Sequence, residues 1–156
     1  YKYVNGIDTK DAQRWTHLSS SQQVTSWQGF SFELVCLIHL DEIKRALGID
    51  RILNDSSAWR SKTSESNTQI DLVIERADHN INLCEMKFAN SLYTINKDYE
   101  QKLRERMAIF QAETKKRNST RITMVTTYGV LKNKHSGIVD DEVLLDDLFT
   151  LTDETK

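Results

Sequence analysis

Two neighbouring segments with a strict two-residue alternation constrain this chain more than any other feature. Ile70, Leu72 and Ile74 alternate with Asp71, Val73 and Glu75, while Ile81, Leu83, Glu85 and Lys87 alternate with Asn82, Cys84, Met86 and Phe88. Successive side chains of a strand point to opposite faces, so this period predicts two strands. Ala77, Asp78, His79 and Asn80 between them are turn-forming residues, which makes the pair a hairpin. Register then decides what shares a face. A connection of three or five residues sets Asp71 opposite Glu85 on one face, whereas an even connection turns them apart.

The flanking segments extend the architecture. Thr25 and Gln28 have the spacing of a capping box, and an apolar helical pattern runs over residues 27–47 to Gly48, a helix stop. Residues 52–59 suit a short strand, and 61–68 form a polar loop. A second helix is predicted over residues 96–117, with Tyr99, Leu103, Met107 and Phe110 at helical spacing and Glu100–Arg104 and Glu113–Arg117 as i,i+4 pairs. Residues 122–127 are apolar and β-branched, an interior strand closed by Gly129. A short strand over 143–145 and a helical turn over 146–149 complete the order. The α-β-β-β-α-β succession predicts an α/β domain in which a mixed sheet is flanked by helices.

A length of 156 residues suffices for one domain with a real core. The expected division is an N-terminal extension or linker over residues 1–26, with the Ser19-Ser20-Ser21-Gln22-Gln23 run inside it, and a domain over 27–156. Trp15 and Leu18 are candidates to dock on that domain. The chain begins at Tyr1 without a Met, so sequence upstream is expected. Proline is absent, which excludes Pro-rich and collagen-like classes. The net charge of −2 gives no overall basic footprint for nucleic acid and leaves only a local basic face open. Cys36 and Cys84 lie in apolar runs without a second ligand at metal spacing, as free thiols of a reducing cytosol do. No apolar run approaches the roughly 20 residues that span a bilayer, and no signal peptide opens the chain; a cytoplasmic, non-membrane protein is expected.

The chemistry gathers on the hairpin. Glu85 and Lys87 share a strand face with Ile81 and Leu83, where charge is costly to desolvate unless the two bind each other, a metal or a substrate. An edge-strand ion pair and a catalytic pair both meet that condition. Asp71 opposite Glu85 would bring two carboxylates together, which repel unless a cation separates them. Oxygen ligands of this kind suit Mg²⁺. Lys87 would then orient or help deprotonate a water. Glu33 shares its helix face with Phe30, Cys36, Leu37 and Leu40, and either pairs structurally or reaches the same site. Lys102, Arg104, Arg106, Lys115, Lys116 and Arg117 are either solvated helix charges or contacts to a phosphate backbone. Trp15, Trp27 and Trp59 are expected to pack, and His17, His39, His79 and His135 show no ligand spacing.

Gln69-Ile70-Asp71, followed by Glu85-Met86-Lys87 and preceded by a helix bearing Glu33, resembles the PD-(D/E)XK nuclease superfamily. Residues 70–88, Thr126-Thr127-Tyr128-Gly129 and Leu145-Asp146-Asp147-Leu148-Phe149 look like the C-terminal nuclease-like module of bacterial and archaeal AAA-type ATPases. The resemblance spans residues 27–149. It implies a restriction-endonuclease-like fold and hydrolysis of DNA phosphodiester bonds with Mg²⁺ or Mn²⁺. By position, Asp71, Glu85 and the backbone carbonyl of Met86 would hold the metal, Lys87 would place the water, and Glu33 would be a supporting acid. Ile70 stands where the family name has Pro. Gln101 and Lys102 lie where related nucleases sometimes add a polar site residue. No G-x-x-x-x-G-K-[ST] loop occurs, so an ATPase would lie upstream on the same polypeptide. A nuclease fold used as a DNA-binding or protein-binding module is the alternative, and a homo-oligomer is left open.

Overall fold

The computed structural model describes residues 22–150 apart from Ser64 and Ser66. The linker expectation for residues 1–21, with Trp15, His17 and Leu18, lies outside the described residues. Strands β1 (Asn54–Arg60), β2 (Gln69–Arg76), β3 (Asn80–Lys87), β4 (Ser119–Thr126) and β5 (Asp141–Leu144) form one sheet in chain order. β1–β2 and β2–β3 are antiparallel, and β3–β4 and β4–β5 are parallel. The mixed sheet flanked by helices is the expected α/β architecture. The β2–β3 connection is residues 77–79. His79 closes it at φ 66°, in the left-handed region that three-residue hairpin connections use, and its carbonyl accepts from Ser119 N at 3.1 Å.

β3 is buried along its length because both faces are covered. On one side, Phe32 and Cys36 of α1 (Gln22–Ile38) and Ile43 of α2 (Leu40–Ala46) pack on Leu72, Ile74, Cys84, Met86, Val125 and Val143. On the other, Leu103 and Phe110 of α3 (Lys97–Thr114) pack on Val73, Ile81, Leu83, Ile122 and Met124. Each such side chain contributes about 1.5–3 kcal/mol by leaving water. α3 is also the crossover that carries the chain from β3 to its parallel neighbour β4. Asn96 caps α3, its Oδ1 accepting from Tyr99 N at 2.8 Å. The interior is not wholly apolar, since Asn82 donates to Thr123 Oγ1 at 2.9 Å; nearer the surface, Arg121 pairs with Asp141 through two hydrogen bonds, fixing β5 to β4.

Several local expectations differ from the structure. α1 begins at Gln22 rather than Trp27, so Thr25 and Gln28 lie within the helix and form no capping box. The first helix breaks at His39, whose ring meets Phe149 edge-on at 4.8 Å, and α2 turns so that Ile43 enters the core. Phe30 and Leu37, expected to share an apolar stripe with Glu33, are exposed, and Trp27 is 62% exposed rather than packed. Trp59 does pack, edge-on to Phe110 at 5.2 Å. α3 stops at Thr114, and Lys115 takes φ 53°. Glu100–Arg104 forms as expected at 2.7 Å, but Glu113 turns to the Ser61 hydroxyl, Lys62 N and Thr63 and secures the loop after β1. Among the described residues no helix is long and apolar enough to cross a membrane.

Candidate active site

The β2–β3 ladder runs from Glu75–Ile81 to Leu72–Cys84 and stops, although both strands continue. β2 stays with β1, Ile70 level with Trp59 and Gln69 with Arg60. β3 stays with β4, Glu85 level with Met124 and Lys87 with Thr126. The sheet divides at this end, and Asp71 and Glu85 are the first residues past the last rung on either branch. Continuing the hairpin frame sets them level with each other, the parity that a three-residue connection requires.

β2 carries an irregularity at the same place. Ser57 is level with Val73 but Trp59 with Ile70, so β2 has one residue more than β1 across this stretch. Extra residues of this kind bend a strand and re-aim its side chains. Ile70 accordingly packs in the α3 layer and Leu72 in the α1 layer, with Asp71 between them.

The charges converge. Glu85 is 3% exposed, and Arg106 Nη1 donates to its Oε2 at 2.6 Å. Burial pushes the Glu85 carboxyl above its ordinary value and Asp71 adds to the rise, while Arg106 and Lys87 pull against it. Glu33, half-buried on α1, is also raised, by burial and then by Asp71, with Lys87 opposing. The four residues singled out in the sequence, Glu33, Asp71, Glu85 and Lys87, therefore feel one another's charge. Met86 buries its side chain in the α1 layer and is level with Val125 in the β3–β4 ladder.

Three further residues belong to this cluster: Arg106, which the sequence offers only as a solvated helix charge or a phosphate contact, and Tyr99 and Tyr93, which the sequence does not assign to the site. Tyr99, Leu103, Arg106 and Phe110 follow one another at helical spacing, so the arginine lies in line with the face of α3 that packs on the sheet. That spacing was the available signal. Lys87 Nζ sits over the Tyr99 ring at 5.5 Å. The Tyr99 hydroxyl is buried without a hydrogen-bond partner among the described residues, and burial, followed by Glu85, pushes its pKa far up. Tyr93 meets Tyr99 edge-on at 5.7 Å. Its backbone is held between Gly129 O and Leu131 N at 2.8 and 2.9 Å. Gly129 takes φ 103°, which favours glycine, and donates to Thr126 Oγ1, while Thr127 Oγ1 accepts from Ala89 N. The Thr126–Gly129 run thus positions the loop that follows β3.

The other candidates lie elsewhere. Gln101 is exposed and bonds Glu105 at 3.0 Å, and Lys102 is exposed. Arg104 pairs with Glu100 and Lys116 with Glu75. His39 lies beside Glu42 and His135 bonds Glu100 at 2.7 Å.

Among the described residues no group of three or more His, Cys, Asp or Glu is arranged to hold a metal. The donor chemistry nevertheless fits a hard cation. Two carboxylates lie just past the last rung of two diverging strands, and the buried Tyr99 hydroxyl has no hydrogen-bond partner among the described residues. Mg²⁺ commonly takes one or two carboxylates and keeps several waters. Glu33, Asp71 and Glu85 against Lys87 and Arg106 leave one negative charge unbalanced when all are ionised.

No protein-family model matches the chain, and no curated protein matches it. The fold is similar to a crystal structure described as a protein of unknown function, AF1548, at 18% identity and a TM-score of 0.47, over 70% of this chain and 56% of that one. The chain thus spans little more than half the length of that structure.

Proposed function

We propose that this chain is a divalent-metal-dependent nuclease domain that hydrolyses DNA phosphodiester bonds, and that it works as the C-terminal part of a larger ATPase. The observation that carries the nuclease reading is the divided end of the β2–β3 hairpin, where Asp71 and Glu85 stand level with Lys87 and Glu33 in the same electrostatic field. The ATPase connection rests on the sequence resemblance alone.

In this reading Asp71, Glu85 and the Met86 carbonyl hold Mg²⁺ or Mn²⁺, which when bound polarises the phosphate and makes its water more acidic. Lys87, steadied over the Tyr99 ring, orients the attacking water through its ammonium N–H groups. Glu33, whose carboxyl has a raised proton affinity, accepts the water's proton at a carboxylate oxygen. The Tyr99 hydroxyl, which has no partner among the described residues, donates toward charge at the site.

The test is incubation of plasmid and single-stranded DNA with the protein and Mn²⁺. Asp71→Ala and Lys87→Ala should each lower cleavage by at least about 10²-fold, the usual scale for a positioned acid–base group. Cutting that survives both changes sinks the assignment. One observation favours a non-catalytic DNA-binding module instead: Glu85 already has a cationic partner within the chain, Arg106. That alternative predicts DNA binding that needs no divalent ion, with no turnover.

A further inference from the structure

We propose that Arg106 is a phosphate-binding residue of this site, held on Glu85 by an ion pair and released to the DNA backbone when a divalent cation takes the carboxylate. The inference rests on the nuclease reading and adds the order in which the site's charges change partners.

The ion pair is lopsided. The Glu85 side chain is 4% exposed and that of Arg106 is 28% exposed, so the guanidinium is the solvent-facing partner of the pair. One N–H, at Nη1, is engaged with Glu85 Oε2. A guanidinium has five donors in a planar fork, which matches two phosphate oxygens at once. Arg106 feels Asp71 and Tyr99 as well as Glu85, so it stands at the centre of the cluster.

A cation between Asp71 and Glu85 reverses the balance. Three carboxylates and two cationic side chains sum to −1, and a divalent ion brings the sum to +1. Arg106 then faces a like charge across the same carboxylate, which weakens its hold there. A phosphodiester carries one negative charge. It restores neutrality and offers the fork the oxygen pair that suits it. Metal first and DNA second is the order this charge balance dictates.

The experiment has two arms on the full chain. In the first, Mn²⁺ is titrated calorimetrically into wild type, Arg106→Gln and Arg106→Lys. Removing the competing charge should tighten Mn²⁺ about tenfold in Arg106→Gln, the scale of one charge-assisted contact, while Arg106→Lys stays near wild type. An unchanged or weaker Mn²⁺ affinity in folded Arg106→Gln overturns the proposal. The second arm needs no Arg106 variant to fold. Binding of a short labelled duplex is measured by fluorescence anisotropy in EDTA for wild type and Glu85→Gln. Freeing Arg106 should tighten DNA about tenfold in Glu85→Gln, and no change overturns the phosphate role. The nuclease reading is tested separately, by loss of cleavage in Asp71→Ala and Lys87→Ala.

Discussion

Removing either partner of the Glu85–Arg106 ion pair should have unequal effects on stability, and the inequality follows from who is buried. Arg106→Gln leaves the Glu85 carboxylate inside, 4% exposed, with its hydrogen-bonded cation gone. Breaking a fully buried pair this way costs about 3–5 kcal/mol, and the partial exposure of the arginine reduces this to about 2–3 kcal/mol because water follows. For a chain of this size that lowers Tm by about 6–9 °C. Glu85→Gln is different. It leaves Arg106 at 28% exposure, released from the ion pair and free to hydrate. Burial, the largest influence on Glu85, raises its pKa, so ionised Glu85 already sits less comfortably folded than unfolded. A carboxyl raised in this way imposes no penalty below its ordinary pKa, and the penalty grows as pH rises through the raised folded value. At pH 7, Glu85→Gln should therefore be neutral within about 1 kcal/mol, or stabilising. Scanning calorimetry in EDTA at pH 7 gives both values. Equal losses from the two substitutions, or a larger loss from Glu85→Gln, would refute the argument, because the pair would then be a net stabilising contact rather than a charge kept for another use.

Two further outcomes follow from groups away from the site. Glu113 is held below the usual carboxylate range, first by the Ser61 hydroxyl and then by Lys62 N, so its stabilisation is present above the ordinary value and is lost as pH falls through the lower folded one. Urea midpoints taken from pH 7 down to pH 3 should fall less steeply in Glu113→Gln; an identical slope would mean that the loop 61–63 is not held this way in solution. Burial, with Glu33 adding to it, pushes the Cys36 thiol up to about 12, and burial drives Cys84 higher still. Neither should react measurably with a thiol reagent at pH 8 in the native state, while both should react at once in denaturant; rapid native labelling of either would show that the α1 layer opens.

The hairpin was legible because its information is local. Period-two alternation in Ile70–Glu75 and Ile81–Lys87 specifies strands, and the parity of the connection specifies which side chains share a face. The break at His39 was not legible. Apolar periodicity continues through Leu37 and Leu40, and the turn exists because α2 and Phe149 meet there, a contact between residues far apart in the chain. The expected stripe around Glu33 failed for a related reason: α1 is apolar on more than one face, and the pattern alone cannot say which face the sheet covers.

The sequence leaves Arg106 as one of six helix cations, solvated or on a phosphate, because charge alone does not mark which of them turns inward. Its place between Leu103 and Phe110 does, once the face of α3 is known to pack on β3. The divided sheet is likewise silent in the sequence, since alternation continues past Leu72 and Cys84 where the ladder ends. Yet each strand places a carboxylate there, Asp71 on one and Glu85 on the other. A fold that continued the pairing would have pressed two carboxylates together across a rung. Parting the strands relieves that repulsion. The residues that cost the sheet its regularity are those the proposed chemistry requires, which is where local rules and function are expected to disagree.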